Sequence, residues 1–428
     1  MRTRSTSIVP LGLVSLLLFT ACKSSETEPG DEGSGGSSAS GAEGGAGGAA
    51  TGGAGSAAGG GSASGGAGGS GPIEPLTLID CDAAGNSSDN RCKSYPDAGT
   101  IGEGPAITDA SSRIDGAVLD GSSLIVAVDL LDDFDDVGGV MRIDLPTGNR
   151  TWLSGEYQYT DDGEVTTVGE GPEIGSIHAI AKLSTGKLIV YRSDESDNDQ
   201  GFFEVDMATG DRTDFMLPAA ANHFFTCGAI VNVNFGENTN LTAGTDGDFY
   251  ATGEGPTDSS IVHFTKDKTC EIISEADGTG TGDVGTGPAF GENVSALKLH
   301  DGQLYALTGF TGRELFVVDP ATGNRTLLSS EKAAVGAGPK LGHHSLDVRA
   351  GKLWTAGYFG KVIPLVSVDP ATGDRVDEAP DASGPVDAGL ADVRPQIFFY
   401  GEQIIFETSS GGIGVFDPAT QSSNWISM

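Results

Sequence analysis

Basic residues are scarce in this chain. Its 24 Lys and Arg stand against 60 Asp and Glu, a net charge of −36. Such a surface repels nucleic-acid phosphates and anionic lipid headgroups, which excludes both as partners of the folded part. It draws metal cations and basic proteins instead. Cysteine is rarer still: five residues, with no C-x-x-C and no Cys/His cluster, so zinc and dithiol chemistry have no footing. Long apolar runs are missing too, and the one candidate, Ile8–Phe19, is too short to cross a bilayer as a mature helix. No G-x-S-x-G elbow occurs, and no carboxylate pair stands out as an acid/base couple. An enzyme reading therefore starts without a candidate.

What is present at the N-terminus is the layout of an export signal, with Arg2 and Arg4 ahead of the apolar run. The run ends in Leu18-Phe19-Thr20-Ala21-Cys22, which resembles the bacterial lipobox except for Phe19 where Leu is usual. The resemblance implies that residues 1–21 are a lipoprotein signal peptide. Cys22 would then carry diacylglycerol and become the mature N-terminus, held to the membrane by about 0.8 kcal/mol per buried CH₂. Lys23, rather than Asp, points to the outer membrane or cell surface. Residues 22–71 are mostly Gly, Ser and Ala and form a flexible linker. Its root-mean-square reach is on the order of 40 Å. The four remaining cysteines suit two disulfides in an exported protein. Three connectivities exist, and local pairing gives Cys81–Cys92, in an N-terminal segment over 72–104, and Cys227–Cys270.

The rest of the chain repeats itself. VVDPATGNRT (Val317–Thr326) recurs as RIDLPTGNRT (Arg142–Thr151), EVDMATGDRT (Glu204–Thr213), SVDPATGDRV (Ser367–Val376) and VFDPATQSSN (Val415–Asn424). Each copy reads as strand, tight turn, strand, with Asp-Pro setting a type I turn and Gly supplying positive φ. The opening aspartates are Asp144, Asp206, Asp319, Asp369 and Asp417, and the gap from Asp206 to Asp319 is about two units wide. A degenerate copy belongs there. FGENTNLTAGTDGDFYA (Phe235–Ala251) supplies its first hairpin, aligning without a gap to FGENVSALKLHDGQLYA (Phe290–Ala306). The second recurring piece is VGEGPEI (Val168–Ile174), VGTGPAF (Val284–Phe290) and VGAGPKL (Val335–Leu341), with IGEGPAI (Ile101–Ile107) ahead of the first unit. It reads as the crossover between units, because Gly-x-Gly-Pro stops strands and no Lys-Ser/Thr follows to hold a phosphate. Six units of four short antiparallel strands, over 105–428, predict an all-β fold, a six-bladed β-propeller.

These repeats resemble the NHL and TolB-like groups of bacterial six-bladed propellers, over Ile101–Met428. The resemblance implies architecture; the groups contain scaffolds, sensors and a few enzymes. The lactonase-type propellers that also resemble this fold hold a metal with Glu, Asn and Asp in the channel. Asn238 and Asn293, each after a Glu, match part of that pattern, although identical placement in two units argues for a shared turn.

Two sets of residues would converge on one face. Arg113, His178, Asn238, Asn293, His344 and Arg394 align near the starts of the first strands and would ring the channel mouth as a site for a small anion or polar ligand. His343 and His344 are adjacent on a strand and face opposite ways, so they do not share one metal. Asp132, Asp133, Asp135 and Asp136, with Asp194, Asp197 and Asp199, lie in second-to-third strand loops of neighbouring units. Hard oxygen ligands at that density suit Ca²⁺, the one cofactor the sequence suggests, although no EF-hand pattern is present. The reading is a surface-anchored module that binds a protein or a glycan. The rival is an extracytoplasmic hydrolase or lyase using the channel mouth, with Ca²⁺. One element is left over: Leu76–Asp80 (LTLID), the only candidate to latch the ring from its N-terminal side.

Overall fold

The computed structural model describes residues 73–80, 89–93, 101–105, 112–131, 136–158, 165–193, 200–218, 225–228, 230–236, 239–254, 259–275, 284–291, 293–309, 313–342, 344–357, 365–380, 396–407 and 412–427. They form six antiparallel blade sheets and one two-stranded hairpin, and in every sheet the strands follow one another in sequence order. Blade 1 is Ser112–Asp120, Ser123–Leu131, Asp136–Asp144 and Arg150–Gln158, with an outer fifth strand, Val165–Val168. Blade 2 is Ile177–Lys182, Lys187–Arg192, Gly201–Asp206 and Arg212–Met216. Blade 3 is Leu241–Ala243, Phe249–Glu254, Ser259–Phe264 and Cys270–Glu275. Blade 4 is Val294–His300, Gln303–Thr308, Glu314–Val318 and Arg325–Ser330. Blade 5 is Ser345–Arg349, Lys352–Ala356, Leu365–Val368 and Arg375–Asp377. Blade 6 is Ile397–Tyr400, Gln403–Glu407, Ile413–Asp417 and Ser422–Ser427. The fold is a six-bladed β-propeller.

The second strands are continuous apolar runs, Leu124–Val128 and Leu188–Tyr191 among them, buried on both faces. β-Branched and aromatic residues suit an extended backbone, and a sheet packed on both sides has no need of alternation. The core is divided accordingly. Six apolar clusters each join two neighbouring blades: 1 with 2, 2 with 3, and so on around to 6 with 1. The core is thus six seams arranged in a ring.

Four of these seams are fastened by one recurring device. At the seam of blades 3 and 4, Arg325 donates from Nε to the Pro288 carbonyl (2.9 Å) and from Nη1 to the Val284 carbonyl and Ser274 Oγ (both 2.8 Å). Ser274 Oγ in turn donates to the Gly323 carbonyl (2.9 Å). The arginine of the DPATG-x-R hairpin therefore clasps both the G-x-G-P crossover and the last strand of the blade before. Arg212 repeats this with Pro172, Val168 and Ser154. Arg375 repeats it with Pro339, Val335 and Ser329. Arg150 repeats it with Pro105, Ile101 and Ser427. The hairpin glycine is part of the fit. Gly323 has φ +69°, and a Cβ there would sit 1.7 Å from the Ile273 carbonyl oxygen, a collision no side chain tolerates.

The seam of blades 2 and 3 departs from the pattern. Phe264 pairs with Cys270 in the register where Val318 pairs with Arg325, so a cysteine occupies the arginine position. Cys270 is bonded to Cys227. Cys227 lies in a two-stranded hairpin, Phe225–Cys227 and Ile230–Val233, between the two blades. A covalent bond replaces the clasp. In blade 6 the glycine position is Gln421, at φ 57°, whose Nε2 donates to the Glu378 carbonyl of blade 5 (2.9 Å).

Three sequence readings need correction. The gapless alignment of Phe235–Ala251 with Phe290–Ala306 slips by one residue, because Ala243 pairs with Phe249 where Leu299 pairs with Leu304. A three-residue loop, with Asp246 and Gly247 at positive φ, replaces the two-residue Asp301-Gly302 turn. The fifth strand of blade 1 and the 225–233 hairpin carry no signal in the repeat frame. The third correction is that Leu76–Asp80 adds no strand. It closes the ring another way: Leu76 exchanges two hydrogen bonds with the Gln403 side chain, the Ile79 N–H donates to Asn424 Oδ1, and Leu76 and Leu78 pack on the blade 6–1 cluster. Trp425 Nε1 donates to the Lys93 carbonyl (3.0 Å). Cys92 is disulfide-bonded; Cys81, its expected partner, lies outside the described residues, as does Cys22.

Candidate functional site

The innermost strands carry a β-bulge that decides which residues are equivalent. The pairing skips one residue between Ile114 and Gly116, between Ile177 and Ala179, and between Val294 and Ala296. The extra residues are Asp115, His178 and Ser295. In blade 3 the Thr252 N–H donates to the Asn240 carbonyl, which makes Thr239 the counterpart. In blade 5 Ser345 pairs with Ala356, which makes His344 the counterpart. A bulge adds one residue to one strand and re-aims its neighbours. The predicted ring therefore breaks up: His178 and His344 share a position with Asp115, Thr239 and Ser295, whereas Arg113 and Asn293 stand two residues earlier. Only the backbone of Arg113 is described, paired to Asp129; Asn238 and Arg394 lie outside the described residues. So do Asp132, Asp133, Asp135, Asp194, Asp197 and Asp199, while Asp136 is described as backbone alone, at the start of a blade 1 strand.

The bulge residues differ in how their polar atoms are used. His178 is buried, with Nε2 2.6 Å from Ser193 Oγ. Ser295 Oγ donates to the Leu307 carbonyl (3.2 Å). The His344 N–H donates to the Ala356 carbonyl (3.1 Å). Thr239 is only 6% exposed, and its Oγ1 is buried without a hydrogen-bond partner. A buried hydroxyl left so costs roughly 1–3 kcal/mol, which marks the position as one to explain. Among the described residues, no three His, Cys, Asp or Glu converge as a metal-binding group.

Thr239 lines a cleft of about 330 Å³, counting its open mouth, where blades 3 and 4 meet. The other walls are Gly236, Thr252, Gly253, Glu254, Ser259, Asn293 and Val294. Gly236 of the first Phe-Gly-Glu-Asn copy and Asn293 of the second both line the cleft, while Phe235 and Phe290 are buried in successive seam clusters. Glu254 is held through its backbone, which exchanges two hydrogen bonds with Asn234 (2.9 and 2.7 Å). Its carboxylate is left at the exposed rim. Thr252 Oγ1 accepts from the Asn240 N–H (2.8 Å), and Ser259 Oγ donates to Asn293 Oδ1 (3.2 Å). Of the ring foreseen from sequence, Asn293 is the member among the described residues that lines this cleft. Thr239, Thr252, Glu254 and Ser259 were missed, and the doubled FGEN was the signal available.

One further polar group is out of place. Glu407, at the end of the second strand of blade 6, is 1% exposed, and its Oε2 has no hydrogen-bond partner. The same register holds Ala127, Tyr191, Thr252, Leu307 and Ala356 in the other blades. Burial, and then the nearby negative charge of Asp115, push its carboxyl well above the usual carboxylate range. Tyr191, by contrast, spans its seam by donating to the Phe235 carbonyl, and burial raises its phenol.

No family model and no curated protein matches the chain. Solved structures similar to it include RRP9 WD40 repeats, at 11% identity and TM-score 0.42, covering 78% of this chain and 84% of that one. TolB from Acinetobacter baumannii is similar at 12% identity and TM-score 0.39, covering 63% and 55%. An oligogalacturonate lyase in complex with manganese is similar at 14% identity and TM-score 0.39, covering 75% and 91%.

Proposed function

We propose that this protein is a lipid-anchored, surface-displayed binding module, carried on a flexible linker and recognising a protein or glycan with its propeller. The observation that supports this reading most directly is the blade 3–4 cleft. It offers hydroxyl, amide and carboxylate groups set on rigid strands, with a buried Thr239 hydroxyl in want of a partner. Concave sites with a few fixed polar groups are what binding requires. The test is capture: the full chain in detergent micelles, incubated with cell-surface extracts and with a glycan array. A retained partner that is lost on Asn293→Ala supports the reading. Capture of nothing, or capture indifferent to that change, overturns it. The anchor has its own check, since Cys22→Ser should move the protein out of the membrane fraction; an unchanged fraction refutes lipidation there.

A hydrolase has one observation in its favour, the 2.6 Å contact between Ser193 Oγ and His178 Nε2. A serine beside a base is the start of an activated nucleophile. Labelling by a fluorophosphonate probe that disappears in Ser193→Ala would favour that second reading; an unlabelled wild-type protein removes it.

A further inference from the structure

Resting on the binding-module reading, we propose that the blade 3–4 cleft receives a primary ammonium group, the end of a lysine side chain on a basic protein partner. Among the described residues the cleft holds acceptors and no cation. Its lining contains no Lys, Arg or His, and Glu254 has no ion-pair partner among the described residues. An anionic ligand would face that carboxylate. A sugar would find no aromatic ring among the described walls to stack on. The interior has room for a few water-sized groups, which suits a side-chain end rather than a pyranose.

The hydrogen-bond pattern points the same way. An ammonium group has three donors and no acceptor. At the bulge position, Ser295 uses its hydroxyl on the Leu307 carbonyl, whereas the equivalent Thr239 hydroxyl, in the cleft wall, is buried and has no partner. Glu254 at the rim supplies the charge. The net charge of −36 draws basic proteins to the surface at long range, and the cleft then gives one lysine a fixed place.

The experiment measures binding of a dye-labelled Gly-Ser-Lys-Ser-Gly peptide to the full chain in micelles, by fluorescence anisotropy at 0.15 M salt. Its Nε-acetyl-lysine twin and an arginine analogue serve as comparisons. The lysine peptide should bind about tenfold or more tightly than the acetylated one, and more tightly than the arginine analogue. Glu254→Gln and Thr239→Val should each weaken it by about tenfold, as expected for one lost charged hydrogen bond. Thr239→Ser, which keeps the hydroxyl, should bind like the wild type. Glu331→Gln, a charge removed at an exposed site elsewhere, should leave binding unchanged. No binding of the lysine peptide overturns the proposal. So does equal binding of its acetylated twin, or a loss in Glu254→Gln no larger than in Glu331→Gln. A partner captured from surface extracts that still binds Glu254→Gln sinks this inference and leaves the binding module standing. Lysine-peptide binding without any captured partner does the reverse.

Discussion

At the scale of single residues, the arginine after the hairpin glycine has the clearest consequence. Arg325 is 3% exposed, and its planar fork reaches two carbonyls and a hydroxyl from two different segments. Lysine would bring the same charge on a single nitrogen and could not span them. We expect Arg325→Lys to cost about 2–4 kcal/mol, because buried carbonyls lose their donors; thermal unfolding followed by circular dichroism checks it. A wild-type melting temperature would mean that water replaces the clasp. Glu407 acts in the opposite sense. Its folded-state carboxyl is pushed up, so the folded protein holds a proton there that the unfolded chain gives up above its ordinary value of 4.5. Stability from this group is whole below that pH and is lost as pH rises toward the folded-state value. Glu407→Gln should therefore raise the melting temperature at pH 7 to 8, and the gain should shrink toward pH 4. A gain independent of pH would assign the effect to packing instead.

At the scale of elements, the seam of blades 2 and 3 shows one joint made by different chemistry. Cys270 stands where other blades place the arginine, and its bond to Cys227 encloses a separation of 43 residues. On the loop-closure estimate, losing that bond costs about 4 kcal/mol. Cys227→Ser with Cys270→Ser, or dithiothreitol on the wild type, should lower the melting temperature to the same degree. Unequal shifts would show that the second disulfide, at Cys92, carries part of the reductant's effect. Much of this level was legible beforehand. Turn chemistry fixed the hairpins, and the DPATG and G-x-G-P repeats fixed the blade count. The site was less legible, because a β-bulge is a pairing event between strands and leaves no composition of its own. Aligned on the repeat, Arg113 and Asn293 fall with His178, whereas strand pairing groups Asp115 and Thr239 with it. Glu407 was hidden for a related reason: an acidic residue at a strand end reads as solvated until its burial is known.

At the scale of the whole molecule, the ring must be closed between a last blade and a first one that no peptide bond joins. At the other three clasped seams, the serine, the crossover and the arginine follow in sequence, as Ser154, Val168–Pro172 and Arg212 do. At the closing seam the serine is Ser427, near one end of the chain, while the crossover is Ile101–Pro105. Arg150 Nη1 holds both, at 2.6 Å to the Ile101 carbonyl and 2.8 Å to Ser427 Oγ. The crossover that serves this seam stands before blade 1, and among the described residues the closure is non-covalent and shares no strand. The two halves of this closure are separable by truncation. A chain beginning at Ile101 keeps the clasp but loses the Leu76–Gln403, Ile79–Asn424 and Lys93–Trp425 contacts. It should fold with a lowered melting temperature. A chain beginning at Thr108 also loses Ile101–Pro105, which leaves the buried Arg150 guanidinium without two carbonyl partners in a seam open to water. That chain should lose cooperative unfolding altogether, because a buried charge that loses two of its carbonyl partners in a low-dielectric seam is among the costliest single defects. Equal melting temperatures for the two truncated chains would show that apolar packing between blades 6 and 1 closes the ring without the clasp.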